Sequence, residues 1–262
     1  MPLTRAIVCP PSETFSSGLT TSSLGIPDLK LALVQHRRYC EVLESCGLHL
    51  THLKPDSRFP DSTFVEDSAV FSRTFAVIAR PGAQSRRGEV DAIQEVVSRF
   101  SKVVYRINAP GTLDGGDVCE AGDTWFIGIS ERTNEEGAKQ LETFLRQDGC
   151  SSVLIDIRER PGLLHLKTGM SWIGGNRLVV VDELFDAPFP VGYEKIRVSP
   201  DEAYAANCIP VNNHLLIPSG YPILNETFVK LGYHTISLDM SEFQKMDGGL
   251  SCLSLRFGTY SR

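Results

Sequence analysis

The fold is decided by a repeating unit, and its most complete copy occupies residues 114–155, DGGDVCEAGDTWFIGISERTNEEGAKQLETFLRQDGCSSVLI. A turn rich in Gly and Asp opens this unit, and the apolar run at residues 125–129 follows as a predicted strand. Polar residues 130–134 predict the start of a helix that ends at Gly149, and residues 152–155 predict another strand. One such unit is too short to bury its own apolar face, so several units must pack together.

The same order of elements recurs along the chain. Further strands are predicted at residues 6–9, 48–53, 64–71, 75–79, 103–105, 177–181, 215–218 and 235–238, and further helices at 28–46, around 93–100 and around 228–231. Residues with distinctive chemistry recur at a matching interval: by subtraction, 48 positions separate Glu66 from Asp114, 51 lead to His165, 42 to Asn207 and 45 to Cys252. A period of this size indicates supersecondary units arranged about an axis.

We therefore predict an α/β fold, a five-bladed α/β propeller of repeated ββαβ units around a central active-site channel. Residues 1–257 are expected to form one domain. The alternative is a doubly wound sheet, which would require a longer helix after each single strand than the paired strands provide.

Composition narrows the class of protein. A length of 262 residues predicts one or two domains, and a net charge of −6 argues against a nucleic-acid surface and favours a cationic ligand. Seven cysteines, an odd number without a CxxC pair, fit a reducing cytoplasm better than a disulfide framework or a zinc ribbon. The sequence shows no signal-peptide pattern and no apolar run of membrane-spanning length. We expect a soluble cytoplasmic protein without nucleic-acid or membrane partners.

One candidate for chemistry lies near the end of the chain, in the stretch Asp247-Gly248-Gly249-Leu250-Ser251-Cys252. Taken alone, such a cysteine is most often a small buried hydrophobe, and the Asp-Gly-Gly-Asp at 114–117 could be only a tight turn. The propeller changes this interpretation, because equivalent positions of successive units converge on the axis. The groups expected there are the thiol of Cys252, the imidazole of His165 and the carboxylates of Glu66, Asp67, Asp114 and Asp117.

These carboxylates indicate the charge of the ligand. Several acids beside a thiol raise its pKa and suppress the thiolate unless a cation sits among them. We therefore expect the substrate to carry the cation, and a planar guanidinium suits a wall of carboxylates because it forms paired, charge-assisted hydrogen bonds. Arg86 and Arg132 precede predicted helices, where they are either ordinary solvated charges or a clamp for a substrate carboxylate.

Several motifs carry a resemblance to a known family. They are Gly18-Leu19-Thr20, Phe59-Pro60-Asp61-Ser62, Phe64-Val65-Glu66-Asp67, Arg80-Pro81-Gly82-Ala83, Ser85-Arg86-Arg87, Arg132-Thr133-Asn134, Leu164-His165-Leu166-Lys167-Thr168-Gly169, Tyr204-Ala205-Ala206-Asn207-Cys208 and the residues 247–257. On these motifs the chain resembles bacterial dimethylarginine dimethylaminohydrolases of the pentein superfamily, whose members modify guanidino groups. The resemblance implies a five-bladed propeller that hydrolyses Nω-methylated arginines to citrulline and a methylamine without a cofactor or metal.

The resemblance also implies roles for the catalytic residues. Cys252 matches the nucleophile, and His165 matches the general acid and base. Asp114 takes the place of the acid that orients the histidine, a position that holds Glu in some bacterial members. Asp67, with Glu66 beside it, matches the acid that holds the guanidinium.

The remaining implied contacts bind the amino-acid end of the substrate. Arg86 and Arg132 match the pair that grips its carboxylate, while Asp61 and the backbone of Leu19 match the contacts to its amine. Ser251, next to the nucleophile, is expected among the substrate contacts. Leu19 belongs to a polar loop at residues 12–27, which the resemblance implies to be a lid.

One departure bears on the choice of substrate. Arginine deiminases typically carry a second carboxylate two residues after the histidine, where this chain has Lys167. Losing this acid removes acceptors for an unsubstituted nitrogen and leaves room for methyl groups. We expect poor use of arginine but weaker discrimination between mono- and dimethylarginine, since a missing methyl is worth only about 1–3 kcal/mol.

Three alternatives stay open from the sequence. The first is a deiminase or another guanidine hydrolase that acts on arginine or agmatine, and the second is a non-catalytic propeller that binds a partner. The third is a zinc enzyme, against which the missing His-x-x-x-His spacing argues. The family resemblance further leads us to expect a homodimer, and a disordered C-terminal tail at residues 258–262.

Overall fold

The chain forms five separate small sheets. The computed structural model describes residues 2–258, and each of its five sheets contains three strands. The predicted α/β fold with five blades is confirmed. The tail expected at residues 258–262 lies outside the described residues, apart from Gly258.

The five blades are numbered from the N-terminus. Their strands are Arg5–Val8, His49–His52 and Leu255–Phe257 in blade 1; Ala69–Phe71, Ala76–Ile78 and Val104–Arg106 in blade 2; Val118–Ala121, Thr124–Ile129 and Ser151–Asp156 in blade 3; Met170–Trp172, Arg177–Val180 and Glu194–Arg197 in blade 4; and Ile209–Val211, His214–Pro218 and His234–Leu238 in blade 5. In blades 2 to 5, the middle strand pairs antiparallel with the strand before it and parallel with the strand after it.

Blade 1 joins the two ends of the chain. The middle strand Arg5–Val8 pairs parallel with His49–His52, and the last strand, Leu255–Phe257, takes the antiparallel position, with Ala6 opposite Arg256. The segment that carries Cys252 is therefore tied to the first strand of the protein.

A helix usually crosses between the two parallel strands of a blade, as the ββαβ repeat predicts. These crossover helices are Leu29–Ser45, Val90–Phe100, Glu135–Gln147 and Pro222–Lys230, and two further short helices are Leu166–Gly169 and Ser241–Gln244. Blade 4 departs from the prediction, because only a 3-10 turn, Asp182–Leu184, connects its parallel strands. Pro188 and Pro190 follow in this connection, and proline lacks the N–H that a helix interior requires.

The helix ends follow local rules that the sequence contains. The Asp28 carboxylate accepts hydrogen bonds from the backbone N–H of Lys30 at 2.8 Å and of Leu31 at 3.3 Å. Asn134 caps the helix of blade 3 by accepting from Gly137 N at 2.9 Å. Both caps satisfy N–H groups that have no partner inside the helix.

In each blade, a short helical turn precedes the strand that pairs antiparallel with the middle strand. These turns differ from the sequence prediction. Residues 64–71 were expected to form one strand, but Val65–Ser68 is a 3-10 turn and the strand begins at Ala69. The corresponding turns of the other blades are Gly115–Asp117, Leu166–Gly169, Pro200–Ala206 and Ser251–Leu253. The regularly spaced marker residues lie in or beside these turns, so the fold places them at equivalent points of the five blades.

The core lies between neighbouring blades. The middle strands carry fully buried apolar side chains, among them Ile7, Val77, Ile127, Val179 and Leu216. Strands that are covered on both faces read as continuous apolar runs, which explains this composition. Phe71 of blade 2 stacks on Phe257 of blade 1 with 4.0 Å between the ring centroids, so the C-terminal strand also contributes to the packing between blades.

Candidate active site

A narrow cavity brings most of the predicted site residues together. Seven of the ten line it, namely Leu19, Asp61, Asp67, Arg86, Arg132, His165 and Cys252, and five further lining residues were not predicted as site residues, namely Phe64, Leu164, Met246, Asp247 and Gly248. Its volume is about 30 Å³. Small-molecule sites usually occupy about 300–1,000 Å³, so this cavity must widen before it can accept an amino acid.

Cys252 owes its position to a tight glycine turn. Asp247 has a φ of 56°, and the following residues lead directly into the 3-10 turn Ser251–Leu253. A Cβ on Gly248 would lie 2.3 Å from the Phe64 ring, and one on Gly249 would lie 2.6 Å from the Asn207 side chain. Only glycine permits this close approach, which holds the thiol at the cavity wall.

The surroundings of Cys252 keep its thiol protonated. Burial, followed by the charges of Glu66 and Asp67, raises the pKa of the thiol to about 12, against the smaller opposing effects of the Gly249 N–H and Lys167. The Gly249 N–H donates to the sulfur at 3.4 Å. The thiolate therefore needs an additional cation, in agreement with the sequence-based expectation.

His165 stands at the start of the short helix Leu166–Gly169 and meets two carboxylates. Its Nε2 lies 3.1 Å from Asp114 Oδ2 and 4.0 Å from Asp67 Oδ1. Asp114 is fully buried, and its Oδ1 accepts from Gly82 N at 2.9 Å. Burial lowers the pKa of His165, but Asp67, Asp117 and Asp114 outweigh it and raise the pKa to about 9. The imidazole is therefore protonated at neutral pH and is ready to act as an acid.

Asp67 is held as a carboxylate by two donors. Its Oδ1 accepts from Gly116 N at 2.9 Å, and its Oδ2 accepts from Arg86 Nη1 at 2.6 Å. Burial raises the pKa of Asp67, but the positive charges of His165 and Arg86 outweigh it, so the pKa falls below its usual range. Asp67 therefore presents a fixed negative charge at the cavity, next to the thiol and the imidazole.

The two arginines differ in their freedom. The guanidinium of Arg86 is buried, donates from Nε and Nη2 to Glu89 at 2.9–3.1 Å, and also contacts the backbone oxygens of Asp61 and Phe64. Arg132 is half-buried and lines the same cavity, and its guanidinium has no hydrogen bond or salt bridge within residues 2–258. Arg132 thus fits the expected carboxylate clamp, whereas Arg86 is a fixed counter-ion of Asp67 and Glu89.

The loop with Leu19 borders the cavity. The backbone N–H of Leu19 donates to both carboxylate oxygens of Asp61, at 3.1 and 3.2 Å. Thr20 Oγ1 donates to the backbone oxygen of Lys245 at 2.9 Å, and Thr21 N donates to Asp247 Oδ2 at 2.5 Å. The two predicted contacts to a substrate amine, Asp61 and Leu19, therefore lie side by side, and the Leu19 loop is tied to the segment before the nucleophile.

Comparison with known proteins decides the family. A family model described as arginine deiminase matches residues 58–216. The N(G),N(G)-dimethylarginine dimethylaminohydrolase of Pseudomonas aeruginosa is 45% identical over 94% of this chain and 96% of its own length. The chain belongs to the dimethylarginine dimethylaminohydrolase family. The protein of that name from Streptomyces coelicolor is 35% identical and covers 98% of each chain.

A solved structure agrees with this assignment. The dimethylarginine dimethylaminohydrolase from Pseudomonas aeruginosa, a cysteine-to-serine mutant complexed with citrulline, superposes with a TM-score of 0.95 at 43% identity. The match covers 98% of this chain and 100% of that chain.

Among residues 2–258, no helix is long and apolar enough to cross a membrane.

Two predicted site residues lie elsewhere, at a second cavity. Glu66 and Ser251 line a cavity of about 1,030 Å³. The Glu66 carboxylate accepts from Ser251 Oγ at 2.7 Å and pairs with Lys167 Nζ at 2.7 Å and Arg256 Nη2 at 3.4 Å. The structure thus places Glu66 and Ser251 at the large cavity, and their contact with the substrate stays a prediction. Each adjoins a residue of the small cavity but faces away from it.

Two acids of the site add to the predicted set: Glu89 was not named from the sequence, and Asp117 was expected at the axis without a role of its own. Glu89 holds Arg86 and was overlooked because an acid at the start of a helix usually faces solvent. Asp117 is fully buried beside the His165 loop, where its Oδ1 accepts from Leu166 N at 2.9 Å. An acid inside an otherwise apolar repeat was the available signal, since buried acids need partners.

One set of side chains has the composition of a metal site. Asp67, Asp114 and His165 bring three potential ligand atoms within 4.8 Å of one another, the one such group found among residues 2–258. The His165 imidazole and the Arg86 guanidinium are the cationic partners of these carboxylates, and Arg86 is shared with Glu89. Three carboxylates, those of Asp67, Asp114 and Glu89, therefore face two cations.

Proposed function

We propose that this protein hydrolyses Nω-methylated arginines to citrulline and dimethylamine or methylamine through a covalent intermediate on Cys252. The observation that carries the proposal is the meeting of Cys252, His165, Asp67 and Arg132 at one small cavity. Membership of the dimethylarginine dimethylaminohydrolase family supports it. The other side chains of the cavity explain how each end of the substrate is held.

Binding activates the nucleophile. The guanidinium of the substrate lies beside Asp67, while its carboxylate pairs with Arg132 and its amine lies at Asp61 and the Leu19 backbone. The positive charge next to Cys252 lowers the pKa of the thiol, whose proton leaves to water as the thiolate forms. Because the thiol is neutral in the free protein, the substrate itself supplies the activating charge.

The first half-reaction uses His165 as an acid. The thiolate attacks the guanidinium carbon and forms a tetrahedral adduct, and His165 donates its proton to the departing dimethylamine nitrogen. The carbon–nitrogen bond breaks and leaves a thiouronium on Cys252. Asp114 keeps the imidazolium oriented through its 3.1 Å contact with Nε2.

The second half-reaction uses the same residue as a base. The neutral imidazole takes a proton from water, which attacks the thiouronium carbon. The carbon–sulfur bond then breaks, the hydroxyl proton of the adduct passes to the departing sulfur, citrulline leaves and the protein returns to its starting state with a neutral thiol and a protonated imidazole. Such an exchange of roles needs a group that titrates within reach of neutral pH, and the imidazole meets this need.

The second candidate is an arginine deiminase activity, which the family model over residues 58–216 favours. Lys167, at the place of the second deiminase carboxylate, points into the large cavity and pairs with Glu66. The small cavity therefore gains no acceptor from this position. Citrulline release from dimethylarginine, monomethylarginine and arginine, measured side by side, tests the choice. We expect both methylated substrates to react well and arginine poorly; faster turnover of arginine would favour the deiminase.

The covalent intermediate has its own test. Mass spectrometry of protein quenched during turnover of dimethylarginine should show an added mass on the peptide that contains Cys252. The matched control is Cys252→Ser, in which this added mass should be absent. An adduct on another residue, or turnover without any adduct, would contradict the proposed chemistry.

Several further properties belong to the same proposal. Residues 1–257 act as one domain, the protein works as a homodimer in the cytoplasm, and neither a cofactor nor a metal takes part. The seven free cysteines support a reducing compartment.

A further inference from the structure

The buried carboxylate of Asp117 connects two parts of the candidate site that bind opposite ends of the proposed substrate. It is fully buried, at the end of the 3-10 turn Gly115–Asp117. Its Oδ1 accepts from Leu166 N at 2.9 Å, directly after His165. Its Oδ2 accepts from the Ser130 hydroxyl at 2.7 Å.

Ser130 connects Asp117 to the turn that carries Arg132. Its Oγ accepts from Arg132 N and from Thr133 N, both at 3.0 Å. Ser130 is 6% exposed. Its hydroxyl donates its one proton to the Asp117 carboxylate, and its lone pairs accept from the two N–H groups of the turn. The backbone of Arg132 is thereby bound to the same carboxylate as the backbone after His165.

Thr133 closes the network on the other side. Its Oγ1 accepts from Asp114 N at 3.0 Å, and the Asp114 carboxylate in turn lies 3.1 Å from His165 Nε2. The His165 loop and the Arg132 turn are therefore connected by two buried routes. Fully satisfied buried polar networks fix geometry more strongly than isolated surface contacts do.

We propose that Asp117 and Ser130 are a positioning pair that sets the distance between His165 and Arg132, and thereby selects guanidino compounds that carry a carboxylate at the distance found in arginine. The inference rests on the proposed function and deepens it. Neither residue lines the small cavity, so both act through the groups that do. The negative charge of Asp117 also helps to keep His165 protonated.

The test compares two substrates in Ser130→Ala. Dimethylarginine and its decarboxylated analogue share the guanidino end, and only dimethylarginine can engage Arg132. We expect KM for dimethylarginine to rise roughly tenfold or more, because small displacements of a binding group have effects of this size. The decarboxylated analogue should change little, so the preference for the carboxylate shrinks. Ser130→Thr, which keeps the hydroxyl, should restore the preference.

Ser171→Ala is the matched control, because Ser171 is also buried and its hydroxyl donates to Ala206 O at 2.6 Å in the wall of the large cavity. This variant should leave the preference for the carboxylate unchanged. If Ser130→Ala slows both substrates by the same factor, or behaves as Ser171→Ala does, the positioning role is overturned.

A second readout does not depend on turnover. The titration of the His165 imidazole is followed by NMR in the wild type and in Asp117→Asn, with the signal assigned by its loss in His165→Gly. We expect the pKa of His165 to fall in Asp117→Asn, and an unchanged pKa would overturn the link between Asp117 and His165. Should the wild type fail to hydrolyse methylarginines, the proposed function is wrong, and this titration still decides whether Asp117 governs His165.

Discussion

The small and the large cavity are built from neighbouring residues of the same turns, yet they differ in what they can do. Asp67 and Cys252 line the small cavity of about 30 Å³, while Glu66 and Ser251, the residues just before them, line the large one of about 1,030 Å³. In the large cavity, Lys167 neutralises Glu66 directly. In the small cavity a protonated thiol and a fixed carboxylate leave a place for one more positive charge.

The comparison shows that volume is a poor guide to chemistry in this fold. The large cavity is lined by residues from all five blades, and its Glu66 is already paired with Lys167 and Arg256. The small cavity joins titratable groups whose surroundings shift their pKa values in useful directions, which is typical of catalytic sites.

The strongest test of the difference concerns two thiols, one at each cavity. Cys252→Ser should lower turnover of dimethylarginine by at least roughly 10⁴-fold, because a hydroxyl is a far weaker nucleophile in this setting. Citrulline binding, measured by calorimetry, should persist. Cys119→Ser, at the wall of the large cavity, should keep turnover close to that of the wild type. Substantial citrulline release by Cys252→Ser would refute the assignment of the nucleophile.

Two adjacent acids provide the next test. Asp67→Asn should lower kcat/KM roughly 100-fold, because the guanidinium loses its charged partner in a buried site. Glu66→Gln should affect kcat/KM much less and instead lower the free energy of unfolding by about 1–3 kcal/mol, since Lys167 and Arg256 lose their acceptor. Steady-state kinetics and denaturant unfolding distinguish the two results. Equal losses of activity would show that both acids serve the substrate.

The two arginines of the small cavity should differ in kind. Arg132→Ala is expected to raise KM for dimethylarginine roughly tenfold with a smaller effect on kcat, because it removes binding to the unreacting end. Arg86→Ala should lower stability, since Asp67 and Glu89 are left buried without their cation. An unchanged KM in Arg132→Ala would count against the carboxylate clamp.

The smallest expected effect is a shift in the pH dependence of the first half-reaction. The first half-reaction needs protonated His165, so its rate should fall as pH rises through about 9. Asp114→Asn removes a negative neighbour, lowers the pKa of His165 and should move this alkaline limb to lower pH. Rapid-quench measurements of adduct formation across pH report the limb, and a limb that stays in place would contradict the pairing of His165 with Asp114.

Much of the fold could be predicted because the repeat leaves a regular trace in the sequence. Spacings of 42 to 51 residues between the markers Glu66, Asp114, His165, Asn207 and Cys252 reflect the turn before each first strand. The short turns themselves were missed, since all but one of them span only three or four residues, which carry no helical periodicity. The absence of a crossover helix in blade 4 was missed because the repeat was extended to every unit.

The reacting groups of the site could be predicted from the sequence, whereas the ion-pair partners of its charged residues could not. Cys252, His165 and Asp67 could be found from type and spacing. The sequence does not show that Glu66 faces the large cavity, because this depends on the side of the 3-10 turn on which its side chain lies. It also does not show that the Glu89 carboxylate accepts hydrogen bonds from Arg86. A sequence contains the charges but not their partners across blades.

The central claim is that the thiolate of Cys252 forms only when a guanidinium sits beside Asp67. The direct measurement is a pH titration of Cys252 by ultraviolet absorbance of the thiolate, with Cys252→Ser as the blank, first without ligand and then with saturating arginine. We expect a pKa near 12 in the free protein and a clearly lower pKa with arginine bound. A thiolate already present at neutral pH in the free protein would contradict the claim.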